Sequence, residues 1–156
     1  MHPMPIKLEN VGIAVRDLDE TIAFFTDLGL TVVGRDEVSG EWADTAVGLD
    51  GNHARIAVLQ TPDGHGQLEL FEYIHPDAIE TEPTLPNEIG MHRVAFSVDD
   101  VTAELESLRA RGATLIDEQP RQGLYGPVAF IHPETVGGVL IELVGRFGPD
   151  VSKETP

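Results

Sequence analysis

Residues 10–31 (NVGIAVRDLDETIAFFTDLGLT) and 93–114 (RVAFSVDDVTAELESLRARGAT) are two copies of one pattern. They align at a constant offset of 83, matching Val11 with Val94, Val15 with Val98, Asp17 with Asp100 and Gly29 with Gly112. A second echo, Leu68-Glu69-Leu70 against Ile141-Glu142-Leu143, closes each half. A 156-residue chain repeated in this way is expected to fold as one domain of two small modules, burying about two thirds of its unfolded surface. Duplicated halves usually pair around a pseudo-twofold axis. On that arrangement Asn10, Glu69, Arg93 and Glu142 are candidates for one shared site.

Each copy opens with a run of branched apolar residues, 6–15 and 92–98, which predicts a strand. An acidic residue follows and then a helical period. Asp17 with Glu20 has the spacing of a capping box, and Leu18, Ile22 and Phe25 form an i, i+4, i+7 stripe that Val101, Leu105 and Leu108 repeat. Gly29 and Gly112 stand where a helix needs a left-handed stop, and short strands are expected from Thr31 and Thr114. Further candidate strands are residues 42–48, 54–60, 67–73, 126–131 and 138–144, separated by turn signals at Asp50-Gly51, Pro62-Asp63-Gly64 and Gly137-Gly138.

These elements predict an α+β chain of two tandem βαβββ modules forming a cupped mixed sheet. The expected boundaries are an N-terminal extension 1–5, a first module 6–73, a Pro-rich acidic linker 74–90, a second module 91–146 and a tail 147–156. Because strand side chains alternate, Val11, Ile13 and Val15 are assigned to the helix side, leaving Asn10, Gly12 and Ala14 on the concave side. The same phase turns Val94, Phe96 and Val98 to the helix, and Arg93, Ala95 and Ser97 to the concavity. Glu69 and Glu142 are opposite in phase to their apolar neighbours and join them.

Charge and composition narrow the partners. With 27 acidic against 10 basic side chains the formal net charge is -17, which repels phosphate backbones and anionic membrane surfaces. A nucleic-acid or membrane partner is not expected; the acidity reads either as a merely solvated surface or as a field that favours cationic ligands. The absence of cysteine removes disulfides, thiolate metal sites and cysteine nucleophiles. The opening MHPMPIKLENVG lacks the apolar core of a signal peptide, so a cytoplasmic location is expected. Gly64-His65-Gly66 reads as a turn and lacks the spacing of a nucleotide loop.

The stretches VGIAVRDL, VAFSVDDV and VAFIHPETVGGVLIELV resemble the vicinal oxygen chelate superfamily, which includes glyoxalase I, methylmalonyl-CoA epimerase, ring-cleaving dioxygenases and bleomycin-resistance-type binding proteins. The likeness covers residues 6–145, and its last stretch is similar to methylmalonyl-CoA epimerases. In the metal-dependent members a divalent ion is held by a first-strand His, a fourth-strand Glu or Gln, a fifth-strand His and an eighth-strand Glu. Those columns fall on Asn10, Glu69, Arg93 and Glu142. Both carboxylates are present and both histidines are replaced. Arginine has no lone pair to give and stays protonated near neutral pH, so the resemblance implies a site without metal or other cofactor.

His92 lies one residue from the ligand column, but a slip that turned it inward would turn Val94 and Phe96 out of the core. A packed or hydrogen-bonded histidine on the other face is expected there. His53, His65, His75 and His132 accompany turns or the linker and show no ligand-pair spacing.

Arg93 has two readings. It can neutralise Glu69 and Glu142 as an architectural triad, or it can orient a carboxylate or carbonyl of a ligand by a bidentate contact. Trp42, Phe71, Tyr73 and Tyr125 are candidate stacking faces for a flat ligand, core packing being the other fate open to them. The function expected first is a metal-independent small-molecule binding protein of the bleomycin-resistance type, acting as a homodimer and sequestering an antibiotic or related hydrophobic compound. The alternative is an isomerase, epimerase or lyase acting on an acyl-thioester or alpha-hydroxycarbonyl compound. In that case Glu69 or Glu142 moves a proton and Arg93 stabilises an enolate oxygen. An iron dioxygenase needs two His ligands and one carboxylate, and both His columns are replaced.

Overall fold

The same local chemistry starts both halves. Asp17 and Asp100 hold extended backbone, and their side chains accept the N–H of Glu20 and of Ala103, each at 3.0 Å, capping α1 (Leu18–Leu28) and α3 (Val101–Ala110). Leu18, Ile22 and Phe25 are buried under α1, and Val101, Leu105 and Leu108 under α3, as the stripes predict. Gly29, at φ 120°, ends α1 by donating to the carbonyls of Phe25 and Thr26. The computed structural model describes residues 6–80 and 85–145.

The chain divides into two compact units, residues 1–81 and 82–156. In the first, β1 (Val11–Ala14), β2 (Thr31–Ser39), β3 (His53–Gln60) and β4 (Gln67–His75) form a sheet of order β1-β4-β3-β2, with β1 parallel to β4 and the other pairs antiparallel. In the second, β5 (Val94–Val98), β6 (Arg121–Gln122), β7 (Pro127–Ile131) and β8 (Ile141–Gly145) repeat that order as β5-β8-β7-β6, again with only the first pair parallel. Each unit is therefore a βαβββ module, as the repeat requires. Each helix packs on one face of its own sheet. Ala57, Leu59, Leu68 and Leu70 are buried beneath α1, and Ala129, Ile131, Ile141 and Leu143 beneath α3. Asp19 on α1 accepts from Arg35 at 2.7 Å and lies 3.5 Å from Arg55, which reaches Glu72 at 3.3 Å, tying the helix to the sheet.

Several expectations are corrected. Residues 42–48 are not a strand: Glu41–Val47 forms a short helix, α2, between Gly40 at φ 110° and Gly48 at φ 73°. Asp44, inside α2, accepts the N–H of Gly51 at 3.0 Å and of Asn52 at 2.7 Å, so it ties the helix to the turn that follows. Residues 6–10 precede the first strand, which is confined to Val11–Ala14, and Ile6 and Leu8 are exposed. No continuous strand starts at Thr114. Leu115 makes an isolated bridge with Ile131, and the carboxylate of Asp117 takes the Phe130 N–H at 2.8 Å, so a side chain fills a place in the ladder that a strand partner would hold. β8 begins at Ile141 because Gly137 and Gly138 hold positive φ. β4 runs on through His75, into the segment expected as linker. The extension 1–5, the tail 147–156 and residues 81–84 of the linker lie outside the described residues.

Candidate functional site

Sheet register places the polar columns. Val11 pairs with Leu68 and Gly12 with Glu69, while Val94 pairs with Ile141 and Ala95 with Glu142. Each carboxylate is thus level with the residue two places after its partner column, Asn10 or Arg93, and strand alternation puts column and carboxylate on the face away from the helix. Burial follows the same phase: Ile13 and Val15 are buried while Gly12 and Ala14 are exposed. Ala95 and Ser97 are more exposed than Val94, Phe96 and Val98.

In the second unit the pair is closed. Arg93 donates from Nε to Glu142 Oε1 at 2.5 Å. Glu142 is 8% exposed and is the one charged side chain buried among the described residues, whereas the Arg93 side chain is 41% exposed. The carboxylate is therefore the partner that needs the contact, since a buried charge without a counter-ion is costly. Phe130 stands opposite Glu142 on β7.

In the first unit the equivalent place differs. Asn10 is half-buried just ahead of β1, and Glu69 is half-buried between Gly12 and Val58 on the flanking strands. Among the described residues of its own unit no hydrogen bond or ion pair reaches Glu69. Phe71 and Tyr73 follow it along β4 with rings stacked at 6.4 Å and 18°. Gly12 gives the Phe71 ring its room, since a Cβ there would come within 3.3 Å of Cε2. The open face of this sheet thus combines a carboxylate with an aromatic platform.

The remaining candidates are more scattered. Trp42 lies on the first turn of α2 and is 72% exposed. Tyr125 is exposed in the turn that Gly123 closes by donating to Gly126. His92 is exposed rather than packed. His53 Nε2 lies 2.8 Å from Glu37, His75 Nδ1 lies 2.9 Å from the Gly51 carbonyl, and His132 caps a short 3-10 turn by accepting from Glu134 N–H. The sequence reading missed Phe130 and Arg121, whose guanidinium lies 5.7 Å from the Phe130 ring centre. Phe130 is half-buried between the buried Ala129 and Ile131, but Val128 is buried too and the run 127–131 is apolar throughout, so no alternation in the sequence marks it.

Residues 9–130 match the family model described as Glyoxalase/Bleomycin resistance protein/Dioxygenase superfamily. The chain belongs to that superfamily. Among solved structures, a glyoxalase family protein from Bacillus cereus is 34% identical with a TM-score of 0.83, over 95% of this chain and 99% of that one. A 2-epi-5-epi-valiolone epimerase from an Actinomyces species is 32% identical over 151 residues, covering 91% of this chain and 80% of the epimerase. The mitochondrial methylmalonyl-CoA epimerase of Mus musculus is 28% identical over 139 residues, covering 88% of this chain and 71% of that enzyme.

Where glyoxalase-superfamily members hold a divalent ion, the residues of this chain do not fit one. The fifth-strand column is a guanidinium that donates to the eighth-strand carboxylate, so one expected ligand has no lone pair and another already accepts a hydrogen bond. The charge a metal would bring at this column is supplied by Arg93.

Proposed function

We propose that the protein binds a small organic molecule without a divalent ion, as a binding protein of the glyoxalase/bleomycin-resistance type. The observation that carries this reading is the 2.5 Å contact from Arg93 Nε to the buried Glu142. It fixes a guanidinium on the open face of its sheet with donors left over for a ligand oxygen. Asn10, Glu69, Phe71, Trp42 and Tyr125 are the other proposed contacts. Phe71 offers stacking area and Glu69 accepts a ligand hydroxyl or ammonium hydrogen. Sequestration of an antibiotic or similar hydrophobic compound, by a homodimer in the cytoplasm, is the proposed role.

The test is a thermal-shift and calorimetric screen of flat antibiotics and related compounds against protein dialysed with a chelator. Binding that survives dialysis, is lost in Arg93→Gln and is weakened by about 1–3 kcal/mol in Trp42→Ala is expected. Binding that appears only when a divalent ion is added back would refute the reading.

A second reading is favoured by the named epimerase relatives. On it, the chain exchanges a proton alpha to a carbonyl. Glu69 takes the proton, because it has no partner among the described residues of its own unit whereas Glu142 accepts from Arg93, and Arg93 donates to the oxygen that gains charge. Incubation with methylmalonyl-CoA and related acyl-thioesters in deuterated water decides between the two. Deuterium uptake that Glu69→Gln abolishes, with binding retained, selects the epimerase; no uptake leaves binding alone.

A further inference from the structure

The open face of the second sheet carries a second guanidinium. Arg121 on β6 pairs in register with Val128, and Val128 with Val144, so alternation places Arg121 on the face shared by Phe130 and Glu142. Its guanidinium carbon is 5.7 Å from the Phe130 ring centre, and its Nη2 is 2.9 Å from Asp117 Oδ1. Asp117 is fixed by the Phe130 N–H at 2.8 Å. On the other side of Phe130, Glu142 holds Arg93.

The two arrangements match. Each arginine is anchored on a carboxylate that is nearly covered, the side chains of Glu142 and Asp117 being 11% and 12% exposed, while Arg93 and Arg121 remain 41% and 58% exposed. The two carboxylates balance the two guanidiniums, so the face has no net attraction for anions in general. What it has is direction. A guanidinium carries five N–H donors in a rigid plane, and the anchoring contacts use only some of them. A half-buried aromatic ring, Phe130, stands beside Glu142 in the sheet, with the Arg121 guanidinium over it.

The geometry points to a ligand with two separated oxygen acceptors, at least one of them a carboxylate, joined by a flat spacer that packs alongside Phe130, whose ring the Arg121 guanidinium overlies. Arg93 takes one end and Arg121 the other. Arg121 is then a specificity-determining residue, selecting among the ligands that Arg93 alone would accept. This deepens the binding reading above and rests on it.

The probes are benzoate and the three benzene dicarboxylates, titrated by calorimetry into the intact protein and into Arg121→Gln and Arg93→Gln. At least one dicarboxylate is expected to bind wild type about tenfold more tightly than benzoate, as one further charge-assisted contact supplies. The net charge of -17 works against the second carboxylate, so such a gain cannot come from the general field. Arg121→Gln should bring the dicarboxylate down to the benzoate affinity and leave benzoate unchanged. Arg93→Gln should weaken both. Equal affinities of benzoate and all dicarboxylates for wild type would overturn the inference without recourse to any variant. So would an advantage that survives Arg121→Gln. In both cases, benzoate binding lost in Arg93→Gln leaves the simpler binding reading standing. If no probe binds up to about 10 mM, or if Arg93→Gln changes nothing, both fall.

Discussion

The Arg93–Glu142 pair yields an asymmetric prediction, because its two partners differ in exposure. Arg93→Ala leaves Glu142, 8% exposed, without a counter-ion. Removing one partner of a fully buried pair costs about 3–5 kcal/mol, and an exposed pair is worth about 0–1. With the Arg93 side chain 41% exposed, water can enter the space it vacates. The expected loss is about 1.5–3 kcal/mol, the range for a hydrogen bond to a charged group. For a chain of this length that lowers Tm by roughly 4–10 °C. Glu142→Gln is milder, about 1 kcal/mol or less, because the stranded arginine is hydrated and the amide oxygen still accepts from it. The double variant should lose less than the sum of the single losses, since Arg93→Ala no longer strands a charge. Thermal and urea melts of the four proteins measure the cycle. A wild-type-like melt for Arg93→Ala, or a greater loss from Glu142→Gln than from Arg93→Ala, would refute the account of which partner needs the other.

Three further outcomes test other parts of the structure. Burial, with the charge of Asp100 second, raises the Glu104 carboxyl above its ordinary range. A raised acid penalises the folded state where it is ionised, so Glu104→Gln should stabilise at neutral pH by about 0.5 kcal/mol or less, and the gain should vanish as pH falls below the ordinary glutamate value of about 4.3. Asp19 is lowered, first by its hydrogen bond from Arg35. Its contribution is present above the ordinary aspartate value of about 3.9 and is lost as pH falls through the lower folded value. Asp19→Asn should therefore melt earlier than wild type at pH near 7 and together with it in stronger acid. Lastly, Arg93→His puts an imidazole beside Glu142 within the second unit, and calorimetry should find a new, weak affinity for Zn(II) or Mn(II); no gain would mean that the guanidinium is not what keeps this column from holding an ion.

The parts of the fold that sequence made legible are those where one short-range rule has no competitor. Asp17 and Asp100 cap helices because a carboxylate two or three residues ahead of free N–H groups has a better use for them than water does. The strand phases held for the same reason: a slip by one residue would exchange Ile13 and Val15 for Gly12 and Ala14 in the core. Residues 42–48 read as a strand because Trp42 and Val47 suit one as single residues, whereas the segment is a helix bounded by positive-φ glycines and tied by Asp44 to the turn after it. The edge near Thr114 was misread because Asp117 replaces a strand by a side-chain contact, and nothing in strand propensity describes a carboxylate accepting from a backbone 13 residues away.

The duplication itself explains why the register of the candidate columns is legible in the sequence and their chemistry only in part. Backbone register is common to the two units: Gly12 meets Glu69 as Ala95 meets Glu142. Such equivalence follows from the core-facing residues, which both copies keep apolar, and it carries the open-face positions along without constraining what they are. Those positions have diverged. In one unit the column ahead of the strand is a neutral amide, and the carboxylate near it has no partner among the described residues of that unit. In the other it is an arginine held by a carboxylate that the sheet has covered. A guanidinium so held keeps its orientation without a ligand, and less order has to be imposed when one arrives. Each unit thus offers its own group on an equivalent frame: Glu69 an acceptor with no partner among the described residues of the first unit, Arg93 a fixed donor in the second. A ligand oxygen arriving on the second sheet meets a donor already in place, so Arg93→Gln should weaken it, whereas a ligand hydroxyl or ammonium arriving on the first sheet should be weakened by Glu69→Gln.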